Sequence, residues 1–228
     1  MHRTLALTAL ILSTALPLPT SAQPAPFEKE IAAFEAADAK SPPPKGTVLF
    51  LGSSSIRLWK TLADDFPDLE TINRGFGGSH VEHSVRYADR IVLPYRPKLI
   101  VLYAGDNDIA AGKSPQRVLQ DFQALVTKVH AELPDTPVLF IAIKPSVARW
   151  HLHGRIWLAN RLVRQFAESH PKVDFVDVYT PALNPEGRPR ADLLVDDGLH
   201  LNAQGYRLWT KVIRPHVERA LAGKERDH

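Results

Sequence analysis

"TVLFLGSSS", residues 47 to 55, joins an apolar run to a glycine and three consecutive serines. Val48 to Leu51 is continuously apolar rather than alternating, the pattern of a strand covered by helices on both faces of a parallel sheet. Comparable runs recur at Leu99–Tyr103, Val138–Ile143 and Val173–Val178, with a weaker one at Leu69–Ile72. Helical periodicity separates them, over Ser79–Ile91, Ser114–Leu133, Leu152–Ser169 and Ala203–Leu221. Strand and helix alternating at this spacing predict a three-layer α/β/α domain, flavodoxin-like, with a central parallel sheet of about five strands. Ligands of such sheets bind outside the carboxyl ends of the strands, so the polar residues there carry the functional information.

Composition narrows the classes. The chain has 228 residues, 44% hydrophobic and 23% charged, enough for one domain with a sizeable core. A net charge of +3 without basic clusters gives no reason to expect a nucleic-acid partner. Arg3 precedes the apolar run Leu5 to Leu18, and Thr20-Ser21-Ala22 supplies small residues at a cleavage point, so residues 1–22 read as a secretory signal peptide. Export to a bacterial periplasm or medium is expected, without membrane insertion. The absence of cysteine leaves stability to the core alone and removes thiolate chemistry. Residues 23–44 form a further unit. Phe27–Lys40 reads as a helix with Phe27, Ile31 and Phe34 on the face expected to pack, ended by Ser41-Pro42-Pro43-Pro44. The main domain is expected over 45–222, with 223–228 a solvated tail.

Four polar clusters follow the expected strands: Ser53–Ser55, "NRGFGGSH" (73–80), "AGDND" (104–108) and "DDGLHLNAQGY" (196–206). Each alone has an ordinary reading, as a helix cap, a glycine turn or a structural histidine. Acyl transfer explains them jointly. A serine hydroxyl needs a base, for which His200 serves, and the imidazole needs a carboxylate on its other nitrogen. Asp197, three residues earlier, can supply it. The Gly78 N–H, the Asn107 amide and the serine's own N–H are available as oxyanion donors.

These blocks resemble the signature segments of the SGNH (GDSL-type) hydrolase family over about residues 45 to 222. "FLGSSS" resembles the first block, "GFGGS" the second, "GDND" the third and "DDGLH" the last. The resemblance implies Ser54 as nucleophile, Asp197 and His200 completing a triad, and Ser54, Gly78 and Asn107 as oxyanion hole, with neither metal nor cofactor. Ser53 stands where the family has Asp, a residue that is not the triad acid. The implied activity is that of an esterase acting on small-molecule or carbohydrate esters. The lack of a long apolar lid insertion favours short acyl groups. A lysophospholipase or thioesterase acting on longer chains, and a non-catalytic carbohydrate-binding protein on the same fold, stay open at this point. Three further features stand near these blocks. His80 and His83 flank Glu82, and His151 lies two residues from His153; both histidine pairs read as structural or substrate-lining. "KPSVARW" (144–150) follows the fourth strand and is expected to wall the cleft, with Trp150 as a substrate-lining residue.

Overall fold

The computed structural model describes residues 25–225. The expected signal peptide, Gln23 and Pro24, and the last three residues lie outside the described residues. The elements are α1 (Glu28–Lys40), β1 (Val48–Gly52), α2 (Ser54–Arg57), α3 (Leu62–Asp65), β2 (Thr71–Gly75), α4 (Val81–Ile91), β3 (Leu99–Tyr103), α5 (Asp106–Ala110), α6 (Pro115–Glu132), β4 (Val138–Ile141), α7 (His153–Glu168), β5 (Val173–Val176) and α8 (Ala203–Glu225). The five strands form one sheet in the order β2-β1-β3-β4-β5, every pair parallel. This is the flavodoxin-like order, with its switch point between β1 and β3.

The continuous apolar strands are buried throughout β1, β3 and β4, as two-sided coverage requires. Phe50 of β1 meets Trp59 and Phe66, while Tyr103 of β3 meets Trp209 of α8 at 4.8 Å between centroids. Phe140 of β4 packs instead on Phe122 of α6, at 4.9 Å. Helices α4, α6 and α7 pack side by side in chain order, and α1 packs beside α4.

Four elements differ from the sequence expectation. β2 runs over Thr71–Gly75 rather than 69–72, because its pairing with β1 sets Gly75 opposite Gly52. β4 and β5 stop two residues early. Past β4, the Ile143 N–H and C=O are both bonded by the Asn160 side chain, at 2.8 and 2.9 Å, and this replaces a strand partner. α8 continues to Glu225, so part of the expected tail is helical.

Of the α1 residues expected to pack, Ile31 is fully buried, whereas Phe27 and Phe34 are half-buried against the core. The helix is also held by charge. Arg74 of β2 reaches Asp38 at 2.6 and 2.8 Å, and Arg90 of α4 reaches Glu28 and Glu35. Among the described residues, no helix is long and apolar enough to cross a membrane.

Candidate active site

The register across β2, β1 and β3 aligns Gly75, Gly52 and Tyr103, so the loops that follow leave the sheet at one level. Gly52 has φ +140, and a Cβ there would lie 1.9 Å from the Tyr103 carbonyl oxygen. Only glycine lets β1 turn this closely against β3. The Ser53 N–H donates to that carbonyl at 3.0 Å, and α2 begins at the next residue. Of the three serines, Ser53 and Ser55 are buried and Ser54 is half-buried, facing the cleft.

The loop before α8 brings His200 over Ser54, with Nε2 3.0 Å from the Ser54 Oγ. The other ring nitrogen, Nδ1, lies 2.6 Å from Asp197 Oδ2. A carboxylate can only accept, so Nδ1 carries the proton and Nε2 presents its lone pair to the serine O–H. Asp197 is itself fixed. Its Oδ1 accepts the backbone N–H groups of Leu199 and His200, at 2.8 and 2.9 Å. The hydrogen bond from the His200 ring, followed by these N–H groups, holds its carboxyl at about 2. It is therefore charged at every working pH.

Three donors border the serine. The Ser54 N–H begins α2 and the Gly78 N–H lies on an exposed turn at φ +82; neither bonds to another described residue. Asn107 of α5 donates one Nδ2 hydrogen to the Ser79 carbonyl at 3.1 Å and retains the second. With Ser54, Gly78 and His200 it lines a cleft of 490 Å³. Such an arrangement can make an alkoxide from a serine and hold an oxyanion beside it.

Sequence reasoning missed several of the cleft's other walls. Arg57 sits one helical turn after Ser54 on α2, and Glu30 reaches the cleft from α1. Lys144 and Arg149 come from the 144–150 segment, as its place past β4 suggested. Lys144 is fully buried, and burial pulls its ammonium below the ordinary lysine range against the opposing pull of Asp106. Asp106 itself meets Arg149 at 2.8 Å and Lys144 at 3.9 Å. Among the described residues, Leu199 is the single apolar side chain in the lining. A larger depression of 610 Å³ lies away from these residues, between Val173, Asp174 and Arg219.

Trp150 is not in the lining. Its ring stacks on His153 at 4.6 Å with the Arg188 guanidinium at 5.8 Å, because the short helix at 150–152 carries it away from the cleft. Neither His151 nor His153 reaches the cleft. His80, Glu82 and His83 each place one ligand-capable atom within 4.8 Å of the others. Glu82 pairs with Lys113 at 2.9 Å and His83 Nδ1 accepts the His80 N–H, while the buried His80 Nδ1 makes no hydrogen bond among the described residues. The group forms the ion-paired start of α4, whose Val81 N–H is capped by buried Asp108.

Sheet order and site together define a flavodoxin-like α/β protein with a serine, a histidine and a carboxylate in hydrogen-bonded series at the carboxyl edge of its sheet. The chain belongs to the GDSL-like Lipase/Acylhydrolase family, whose pattern matches residues 50–208, as the four sequence blocks implied. That membership makes ester hydrolysis its activity class. Among solved structures, a GDSL-like lipase from Bacteroides thetaiotaomicron is similar over 84% of this chain and 98% of its own, with TM-score 0.72 and 21% identity. A protein assigned as a platelet activating factor from Streptococcus pneumonia gives TM-score 0.74 at 20% identity, over 83% and 92% of the two chains. The acetyl xylan esterase AlAXEase gives 0.64 at 22%, over 75% and 98%. At these identities the likeness concerns the fold. A comparison with curated proteins finds no match.

Proposed function

We propose that this protein is an exported serine esterase that removes short acyl groups, acetyl above all, from small or carbohydrate alcohols. The observation that carries the reading is the relay Ser54 Oγ–His200 Nε2 at 3.0 Å and His200 Nδ1–Asp197 at 2.6 Å, set beside three N–H donors with hydrogens to spare. Export rests on the N-terminal leader alone.

In this mechanism the Ser54 oxygen attacks the ester carbonyl as His200 Nε2 takes its proton. The carbonyl oxygen becomes an oxyanion and meets the N–H groups of Ser54, Gly78 and Asn107. Collapse breaks the acyl–oxygen bond, and the imidazolium returns the proton to the departing alcohol. Water, deprotonated by the same nitrogen, then cleaves the acyl-enzyme and frees Ser54. Asp197 keeps the ring in the required tautomer and offsets its transient charge.

Short acyl groups follow from the lining. Each buried CH₂ contributes ~0.8 kcal/mol, about fourfold in kcat/KM, only where an apolar wall receives it. Among the described residues of the lining Leu199 alone offers such a wall, whereas Arg57 and Glu30 suit a hydroxylated alcohol. The test is an acyl-length series of p-nitrophenyl esters with wild type and Ser54→Ala. We expect acetate to be the best substrate and Ser54→Ala to lose ~10⁴ or more in kcat. A fluorophosphonate should label Ser54 and neither neighbour. An optimum at octanoate or longer would overturn the short-acyl reading, and labelling at Ser53 or Ser55 would overturn the nucleophile.

A further inference from the structure

An oxyanion donor made from an asparagine has a weakness that a backbone N–H lacks. Rotation of the amide by half a turn presents its carbonyl oxygen instead, an acceptor aimed at a developing negative charge. Something must set which end faces the cleft. At Asn107 both ends are specified by groups with one role each. The Ser79 carbonyl can only accept, and it takes an Nδ2 hydrogen at 3.1 Å. The Arg149 guanidinium can only donate, and its Nη1 and Nη2 both lie 3.1 Å from Asn107 Oδ1.

Arg149 is held in turn. Its Nη1 is 2.8 Å from Asp106 Oδ1, on the residue immediately before Asn107, and that carboxylate is buried with Lys144 at 3.9 Å on its other oxygen. One guanidinium thus bridges two successive side chains of α5 and fixes both against the 144–149 segment. Nη1 and Nη2 thus both turn to groups of the protein, which separates it from Arg57, whose guanidinium lies across Gly77 with no carboxylate within ion-pair distance among the described residues.

We propose that Arg149 is a positioning residue: it locks the Asn107 amide with Nδ2 toward the cleft and strengthens that N–H as a donor. Charge-assisted bonds to Oδ1 draw electron density out of the amide, and the cooperativity falls on the remaining Nδ2 hydrogen. No bond is made or broken at Arg149. The proposal rests on the oxyanion role given to Asn107 above, and its test must separate the two.

The test measures kcat, KM and thermal melting for Arg149→Ala, Arg149→Lys, Asn107→Ala and the Asn107→Ala/Arg149→Ala double variant on p-nitrophenyl acetate. Asn107→Ala should lose ~10²–10³ in kcat and Arg149→Ala ~10–10², each with KM within about threefold of wild type. The double variant should be no more than about twofold slower than Asn107→Ala, because Arg149 has nothing left to orient. Guanidinium ion at about 50 mM should restore part of the rate to Arg149→Ala and none to the double variant. Arg149→Lys keeps the charge beside Asp106 but loses the fork, so it should fall between wild type and Arg149→Ala. If Arg149→Ala does not fold, the same non-additivity is required of Arg149→Lys combined with Asn107→Ala. Multiplying losses, a rise in KM at unchanged kcat, or wild-type kcat in Arg149→Ala would each overturn the proposal while leaving Asn107 in place. Wild-type kcat in Asn107→Ala would remove the oxyanion reading itself, and Arg149 with it.

Discussion

Removal of the Asp38 carboxylate should loosen α1 from the domain in a way that can be measured twice, as stability and as substrate affinity. Arg74 is 8% exposed and lies between two rings, with its guanidinium carbon 4.9 Å from the Phe34 centroid and 4.7 Å from that of Tyr95. Its Nη2 donates to both oxygens of Asp38, at 2.6 and 2.8 Å, and its Nε donates to the Tyr95 hydroxyl at 3.0 Å. That hydroxyl closes the ring by donating to Asp38. Loss of one partner of a fully buried pair costs ~3–5 kcal/mol, since the other charge stays desolvated. The Asp38 side chain is 22% exposed, so water can reach the vacated position, and we expect a lower cost for Asp38→Ala, ~2–3 kcal/mol. For a domain of this size each kcal/mol moves Tm by ~2–4 °C, which puts the expected fall at ~4–12 °C.

Two arms make the reasoning refutable. Asp38→Leu combined with Arg74→Met removes both charges and should recover most of the loss, because a buried pair contributes little beyond an apolar replacement of similar volume. Glu30, on the same helix, lines the cleft, whereas the Ser54–His200 pair stands on other elements. Asp38→Ala should therefore raise KM for a bulky acetylated sugar such as glucose pentaacetate while kcat stays near wild type. Tm would be followed by circular dichroism and the rates by acetate release. A Tm for Asp38→Ala within about 1 °C of wild type, or a double variant less stable than Asp38→Ala, would show that the charge pair does not hold the helix.

Three further outcomes follow from particular contacts. Trp150→Ala should leave kcat/KM on p-nitrophenyl acetate within about twofold of wild type, because the ring is committed to His153 outside the cleft; a tenfold loss would return it to the site. Burial opposes the Asp174 charge, but the hydrogen bonds from His216 and Arg219 outweigh it and hold the carboxyl at about 2 against an ordinary 3.8. A depressed carboxyl stabilises the fold above its unfolded value and loses that contribution as pH falls through the folded one. The melting difference between wild type and Asp174→Asn should thus be constant from neutrality to about pH 4 and shrink between 3.8 and 2; a difference that grows on acidification would refute the assignment. Gly52→Ala would set a methyl 1.9 Å from the Tyr103 carbonyl at a φ that disfavours side chains, so we expect insoluble or inactive protein, and a well-folded active variant would contradict the close approach of β1 to β3.

The sheet was legible wherever burial is two-sided. β1, β3 and β4 read as unbroken apolar runs because helices cover both faces, and no competing pattern fits four or five such residues between turn signals. β2 was misplaced for the complementary reason. It is an edge strand paired only to β1, and Asn73 and Arg74 interrupt its apolar set for local purposes: Asn73 holds the end of α2 through the Ile56 carbonyl, and Arg74 holds α1. Its register is set by its neighbour, and a single segment carries no record of that.

The site divides along the same line. Ser54, Gly78, Asn107, Asp197 and His200, which the structure brings together, could be singled out because each lies in a short block whose residue types serve one chemistry, and because parallel strands deliver successive blocks to one edge of the sheet. Asp197 and His200 are local partners, so their bond at 2.6 Å needs only one turn of chain. Arg149 and Asp106 are 43 positions apart in the sequence, and Arg74 and Asp38 are 36. Nothing in either segment names its partner. Long charged side chains are abundant, any two of opposite sign could pair, and only the packed sheet decides which do. Such pairs cluster here around the cleft, where Asp106 meets Arg149 and Lys144, and behind α1, where Asp38 meets Arg74. A sequence with the same blocks but different residues at 38, 74, 106, 144 and 149 would still read as this fold with the same candidate serine. It would hold a different helix against the cleft and would leave the orientation of Asn107 to chance. Differences in rate and substrate among chains that share the four blocks should accordingly trace to these distant pairs before they trace to the blocks themselves.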